Sequence, residues 1–280
     1  MNLATTAKEE IENHIFKFFA EYIYKHSGMV YTDKDYYRLE TRLKTMVKTL
    51  EVESVKDVYK LYRGDVTPDM HQVLINISTN NETYFFRDKK PFSVLTDHLL
   101  PAIMEKRTMA PISIWSAASS TGQEIYSILM QIDAKVPTLK GRLSVDASDI
   151  SSDALEKAKK GNYNGLDVQR GLPVTGLVKY FEQLEDESWQ LNDDLRRIPS
   201  FFEFNLLSEE FPKTKYDIVF CRNVLIYQNM DNKQQIIRKL HDSLRPGGFL
   251  VLGNGESLIG LDTPLKRETY DALTVYKREE

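Results

Sequence analysis

Four small residues, Ala117, Ala118, Ser119 and Ser120, precede Gly122 in the stretch SAASSTGQE, and such a turn lets a ligand lie directly against the backbone. The successive glycines of a dinucleotide fingerprint are missing, so a bulky pyrophosphate is disfavoured. On this stretch alone an ordinary tight turn reads the same way. Asp149 follows 27 positions after Gly122, where a carboxylate closing a second apolar run accepts both hydroxyl protons of a ribose. Because Ile150, Ser151, Ser152 and Asp153 come next, a turn or helix-cap aspartate is the competing reading. Asn205 with Leu206, and Arg222 with Asn223, close two further apolar runs, so polar groups gather on one rim. Together they point to a ligand that contains a nucleoside. Upstream, NETYFFRDKKPF at 81–92 sets Asn81, Thr83 and Arg87 around three adjacent aromatics. That is unusual for a connecting segment, although aromatic packing with Arg87 paired to a surface acid reads equally well.

These residues meet only if a fold brings the ends of several strands together. From about residue 111, short apolar runs alternate with helical stretches, the pattern of a mainly parallel sheet covered by helices. ISIWSA, RLSVDASD, SFFEFN, YDIVFCRN, GGFLVLGN and DALTVYKRE read as its strands, with LRPGG as a helix stop and turn ahead of the fifth. Residues 163–200 interrupt the alternation with GLP, a short helix at Thr175 to Phe181 and a hairpin-like WQLNDDLRRI. They read as a small inserted subdomain. Through about residue 79 the chain is helical, since Ile11, Ile15, Phe18, Phe19, Tyr22 and Ile23 recur at three- and four-residue spacing up to Gly28. A second helix opens at Thr32 or Asp33 and carries Tyr36, Leu39, Leu43, Met46, Val47 and Leu50 on one face. Lys34, Arg38 and Arg42 at four-residue steps, with Lys44 and Lys48, make its other face basic. Ser54 and Asp69 mark two more helix starts, with Gly64 ending the first and Pro68 introducing the second.

Composition narrows the function. With 37 basic and 41 acidic side chains the net charge is -4, too balanced for a protein that coats nucleic acid through bulk charge. Hydrophobic residues at 41% and charged residues at 28% exclude a wholly disordered chain. A single cysteine, Cys221, rules out an internal disulfide and multi-cysteine metal sites. A strand cysteine of this kind reads as core. The five histidines, His14, His26, His71, His98 and His241, share no ligand-like spacing, so no metal is expected. No apolar run exceeds four residues and the start lacks a secretory signal, so membrane insertion is not expected and the expected location is the cytoplasm.

Assembled, the motifs resemble those of the CheR family of chemotaxis receptor glutamate methyltransferases over nearly the whole chain. The resemblance rests on NETYFFR, WSAASSTGQE, Ser148-Asp149-Ile150, RGLP at 170–173, KYF at 179–181, NLL at 205–207, CRNVLIY at 221–227 and LRPGGFLVLGNGESL at 244–258. It implies an α/β fold: an N-terminal all-helical domain at 1–79, a linker at 80–110 that contributes to the cofactor site, and a class I, Rossmann-like S-adenosylmethionine methyltransferase domain at 111–280 with a small β-subdomain inserted at about 163–200. Two features depart from the family pattern. Gln123 stands where many relatives have Glu, leaving Glu124 as the carboxylate of that turn, and the EDES connection is short, which argues against tethering through a receptor C-terminal peptide.

The resemblance also implies roles. Asn81, Thr83, Arg87, Glu124, Asp149, Asn205, Leu206, Arg222 and Asn223 would bind S-adenosylmethionine, whose product is S-adenosylhomocysteine. Arg87 would grip its carboxylate with a bidentate fork, and Asn223 would neighbour the sulfonium. Tyr227 would orient the accepting carboxylate, against the plainer reading of a packed aromatic at a strand end. With no general base needed, Arg87 and Tyr227 are the residues expected to carry catalysis, through positioning. The expected partner is the cytoplasmic domain of chemotaxis receptors, met by a monomer through Lys34, Arg38, Arg42, Lys44 and Lys48, whose alternative is a solvated helix face. A competing function of another class is a non-catalytic sensor or scaffold that binds S-adenosylmethionine or S-adenosylhomocysteine. Methylation of RNA is disfavoured by the balanced charge.

Overall fold

The computed structural model describes residues 3–107, 109–208 and 210–279, with side chains from Asn13 onward. The chain forms two units, one of residues up to Asn80 together with Tyr227–Asn229, the other of Asn81–Ile226 and the residues from Met230 onward. In the first unit lie α1 (Leu3–Ser27), α2 (Tyr36–Thr49), α3 (Val55–Arg63) and α4 (Pro68–Ser78). Their apolar stripes converge, and Phe19, Ile23, Leu39, Leu43, Met46, Val58 and Leu74 are wholly buried. Ser54 caps α3 by accepting from the Asp57 amide, and Thr67 caps α4 ahead of Pro68. Thr32 caps a 3-10 turn at Asp33–Asp35, so α2 itself begins at Tyr36.

The basic face of α2 is less free than its spacing suggests. Arg38 lies 3.8 Å from Asp35 and Lys44 lies 2.7 Å from Glu40. Arg42 donates to the Ile77 carbonyl and, at 2.8 Å, to that of Thr79, so its guanidinium closes the carboxyl end of α4. Arg42 is thus partly engaged within its own unit. Lys34 and Lys48 are exposed.

The second unit runs through α5 (Lys90–Val94), a π-helical turn, α6 (Leu100–Lys106), β1 (Ile112–Ser116), α7 (Gln123–Lys135), β2 (Leu143–Asp149), α8 (Ser152–Lys160) and β3 (Asn162–Tyr163). It continues with α9 (Gly165–Gln169), α10 (Val174–Tyr180), β4 (Phe181–Gln183), β5 (Trp189–Leu191), α11 (Asp193–Arg196), β6 (Ser200–Glu203), β7 (Tyr216–Cys221), α12 (Met230–Ser243), β8 (Leu244–Leu252), β9 (Lys266–Tyr270) and β10 (Leu273–Lys277). Seven strands form one sheet in the order β6-β2-β1-β7-β8-β10-β9. The first five are parallel, and β10 runs antiparallel to both of its neighbours, β8 and β9. The chain reverses direction across the sheet between β1 and β7, and such a switch point opens a crevice at the carboxyl ends of the strands.

Both faces of the sheet are covered, and alternation along each strand decides which residue goes where. Ile114, Ile218, Phe220, Phe249 and Val251 join the core cluster that contains α7, whereas Trp115, Val219, Cys221, Leu250 and Leu252 join the one that contains α12. The segment from Asn81 to Lys106 is no passive connector. Phe85, Phe92, Val94, Leu95 and Leu99 are buried in the first of these clusters.

Within 163–200 the small sheet has the order β3-β5-β4. WQLNDDLRRI is not itself a hairpin: Trp189–Leu191 pairs with β4 and β3, while Asn192 opens α11. The hairpin turn is the stretch that contains EDES, between β4 and β5. LRPGG also differs from expectation, since it starts β8 rather than preceding it. The register jumps from Tyr216 opposite Leu244 to Ile218 opposite Phe249, so the extra residues bulge out of the ladder. Gly248 makes this possible, because a Cβ there would come within 2.9 Å of the Asp217 carbonyl. β9 had no sequence signal of its own, as KRETY shows no sustained apolar alternation.

Candidate active site

Asp149 ends β2 and is buried, at 7% exposure. Its Oδ2 accepts from the Ser120 amide at 2.8 Å and its Oδ1 from the Ser151 amide at 3.0 Å. The Ile150 amide also acts on this carboxylate, and of the roughly four acceptor positions of a carboxylate not all are taken by these backbone donors. Burial pushes its pKa above the ordinary carboxylate value, partly offset by the backbone donors. Around it, Ser120 Oγ donates to the Asn81 carbonyl at 2.9 Å, and Asn81 reaches Ser151 Oγ at 3.4 Å. The Asx-type turn at Asn205, whose Oδ1 accepts from Leu207, follows directly on Phe204, whose amide donates to the Asp149 carbonyl. Leu206 is buried beside it in sequence. Asn81, Asp149 and the Asn205 turn are thus brought to one rim.

A second cluster centres on Arg222, whose side chain is 1% exposed. Its Nη1 donates to Glu124 at 2.9 Å, and its Nη2 donates to Asp88 at 2.6 Å and to the Arg87 carbonyl at 3.0 Å. Glu124 accepts a further hydrogen bond from Ser116 Oγ at 2.8 Å. The side chains of Arg222 and Glu124 are therefore occupied with each other. Their expected contact with a ligand would therefore have to be made alongside this ion pair, or by the Arg222 backbone at the strand end. Asp88, which carries no sequence signal of its own, is the third member.

Arg87 itself donates to the Glu82 carbonyl at 2.9 Å and lies over the Tyr84 ring, 5.6 Å from its centroid. Among the described residues it forms no ion pair, because Glu82 is taken by Arg170 at 2.8 Å. Among the described residues no carboxylate hydrogen-bonds its remaining donors, although, after the Arg170 hydrogen bond, its charge helps hold the Glu82 carboxyl below the usual value. Thr83 stands between these two residues in sequence, half-buried. The RGLP glycine explains how the aromatics are held: at Gly171 φ is +86°, and a Cβ would lie 2.0 Å from the Phe85 carbonyl oxygen.

Backbone strain concentrates here. Phe86, Asp88, Lys89, Ser120 and Asn223 all have positive φ, between 49° and 68°. Non-glycine residues are held this way only where surroundings over-determine them, typically at functional sites. Tyr227 ends the turn Leu225–Tyr227 and groups with the first unit, where its hydroxyl accepts from Asn80 at 2.7 Å and its carbonyl from the Val30 amide. Cys221 is wholly buried and its thiol pKa is pushed up by burial, so it is no nucleophile. Among the described residues there is no cluster of metal-ligating side chains, and no helix is long and apolar enough to cross a membrane.

The site fits a nucleoside-bearing cofactor on its own terms. The Asp149 carboxylate is buried at the strand end, and Ser119 Oγ, within the small-residue turn, is buried without a hydrogen-bond partner among the described residues. Seven strands in this order, with an acidic second strand end and a small-residue turn after the first, agree with the class I S-adenosylmethionine-dependent methyltransferase fold that the motifs imply.

Comparison with known proteins narrows the class. Residues 81–272 match the model of the CheR methyltransferase, SAM binding domain. A chemotaxis protein methyltransferase of Vibrio cholerae is 34% identical over 95% of this chain and 98% of that protein. One from Pseudomonas aeruginosa is 35% identical over 89% of this chain and 92% of its own length. One from Escherichia coli is 30% identical over 98% and 94%. The chain belongs to the CheR methyltransferase family.

Proposed function

We propose that the chain transfers a methyl group from S-adenosylmethionine to glutamate side chains of chemotaxis receptors, in the cytoplasm, giving methyl esters and sensory adaptation. The observation that carries this reading is the match, along 95% of the chain, to a protein named as a chemotaxis protein methyltransferase. S-adenosylmethionine, when bound, supplies an electrophilic methyl group on a positively charged sulfur. Asp149 receives the ribose hydroxyls. Arg87, with Asn81 and Thr83, holds the amino-acid end, for which its unpaired guanidinium donors are suited. Arg222 sets the placement of Arg87 through the Arg87 carbonyl. Asn205, Leu206 and Asn223 line the rest. A glutamate is already ionised near neutral pH, so these residues need only align the accepting oxygen and exclude water. The Tyr227 hydroxyl, which accepts from Asn80, would orient the acceptor.

Incubation with radiolabelled S-adenosylmethionine and receptor-rich membranes should give base-labile label on the receptors. Cofactor binding without transfer would instead favour the sensor or scaffold reading. In the same assay Arg87→Ala should lose more activity than Arg87→Lys, since lysine keeps the charge but not the fork. Parental activity in the alanine variant would make Arg87 a surface residue.

Receptor docking through the basic face of α2, with Lys34, Arg38, Arg42, Lys44 and Lys48, is part of this proposal, and Arg38 and Lys48 test it without disturbing the Arg42 contacts to the end of α4. Replacing Arg38 and Lys48 with Ala should leave S-adenosylhomocysteine affinity unchanged and slow receptor methylation most at low ionic strength. Equal rates for variant and parent at low salt would place docking elsewhere.

A further inference from the structure

Glu256 lies in the loop after β8, half-buried between exposed neighbours, yet its carboxylate accepts four backbone amides. Oε2 takes those of Asn223 and Gly253, each at 2.8 Å, and Oε1 those of Leu225 at 2.8 Å and Ile226 at 3.3 Å. Three of the four donors belong to the turn that follows β7. That turn starts at Asn223, whose φ of +60° is unfavourable for a side-chain-bearing residue unless something holds it. Gly253 keeps the way clear: a Cβ there would come within 2.7 Å of Glu256 Oε2 and 2.8 Å of the Asn223 amide.

We infer that Glu256 is a positioning residue for methyl transfer, its carboxylate fixing Asn223 and the 223–226 turn in the geometry the cofactor needs. Among the described residues no other side chain accepts from these turn amides. A carboxylate suits the task because its two oxygens accept in two directions at once, whereas an amide offers one oxygen and turns an N–H toward the opposite pair of donors. The inference rests on the assignment of Asn223 to the cofactor site.

Glu256→Gln is isosteric and should fold, as checked by circular dichroism and thermal melting. Its affinity for S-adenosylhomocysteine, measured by calorimetry, should fall about tenfold, the scale of one buried donor pair left unmatched. Gly253→Ala, which obstructs the carboxylate without removing it, should reproduce the loss. The loss must also shrink to less than about twofold when Glu256→Gln is made in an Asn223→Ala background, because an effect exerted through Asn223 cannot add to its removal. A folded Glu256→Gln variant with parental affinity and turnover overturns the inference, as does a full further loss in the Asn223→Ala background. Asn223→Ala at parental affinity would instead sink the placement of Asn223 in the cofactor site, and the positioning role with it.

Discussion

Asp149→Ala is expected to weaken S-adenosylhomocysteine binding by about 10²- to 10⁴-fold while the protein stays folded. Two hydrogen bonds from ribose hydroxyls to a charged acceptor are lost, each worth about 1.5–3 kcal/mol. Folding should survive, because burial already makes the ionised carboxylate costly to the native state, and that cost disappears with the charge. The amides of Ser120 and Ser151 lose their acceptor, which offsets part of the relief. The raised pKa adds a pH signature. Asp149 must be ionised to accept both hydroxyl protons, so affinity should decline as pH falls through a value above that of an ordinary carboxylate. The cofactor-free protein behaves oppositely. Between the unfolded and the raised folded pKa the native state binds more protons, so this group's contribution to stability drops as pH rises through that window. Calorimetric titration against pH tests both statements. Affinity unchanged in the alanine variant would remove Asp149 from the site.

Sequence patterns reached most of this fold because they report what burial requires locally. Ile114 and Trp115, or Phe220 and Cys221, fall on opposite faces of the sheet by simple alternation, and Asp149 stands out as the acid that closes β2. Long-range closure was less legible. Nothing in LRPGG indicates that its bulge is accommodated by the Asp217 carbonyl at Gly248. KRETY becomes β9 because β10 offers it an edge. The same limit applies to the site. Glu124 and Arg222 were singled out as polar residues at the correct rim, but only the fold reveals that they neutralise each other. Asp88 directly follows the conspicuous Arg87, and Glu256 sits in a motif already noted. Each acts on segments more than thirty positions away or on backbone amides, which residue types do not advertise.

Arg222→Met should be the most destabilising of the changes considered, by about 3–5 kcal/mol, because it strands Glu124 as a buried charge without its partner. Glu124 would retain only the Ser116 hydroxyl, whereas Asp88, one quarter exposed, can recover water. The double variant Arg222→Met with Glu124→Gln should therefore be more stable than the single one, although it carries more changes, since both charges are gone. Arg222→Lys should fall between: one ammonium cannot span Glu124, Asp88 and the Arg87 carbonyl as the planar fork does. Urea denaturation midpoints rank the four proteins, and S-adenosylhomocysteine titration of the folded ones follows Arg87. Affinity should track the loss of the donor to the Arg87 carbonyl, and so stay low in the double variant even where stability recovers. Should Arg222→Met match the parent in its midpoint, the Glu124 carboxylate has water or another partner, and the buried network does not organise the site.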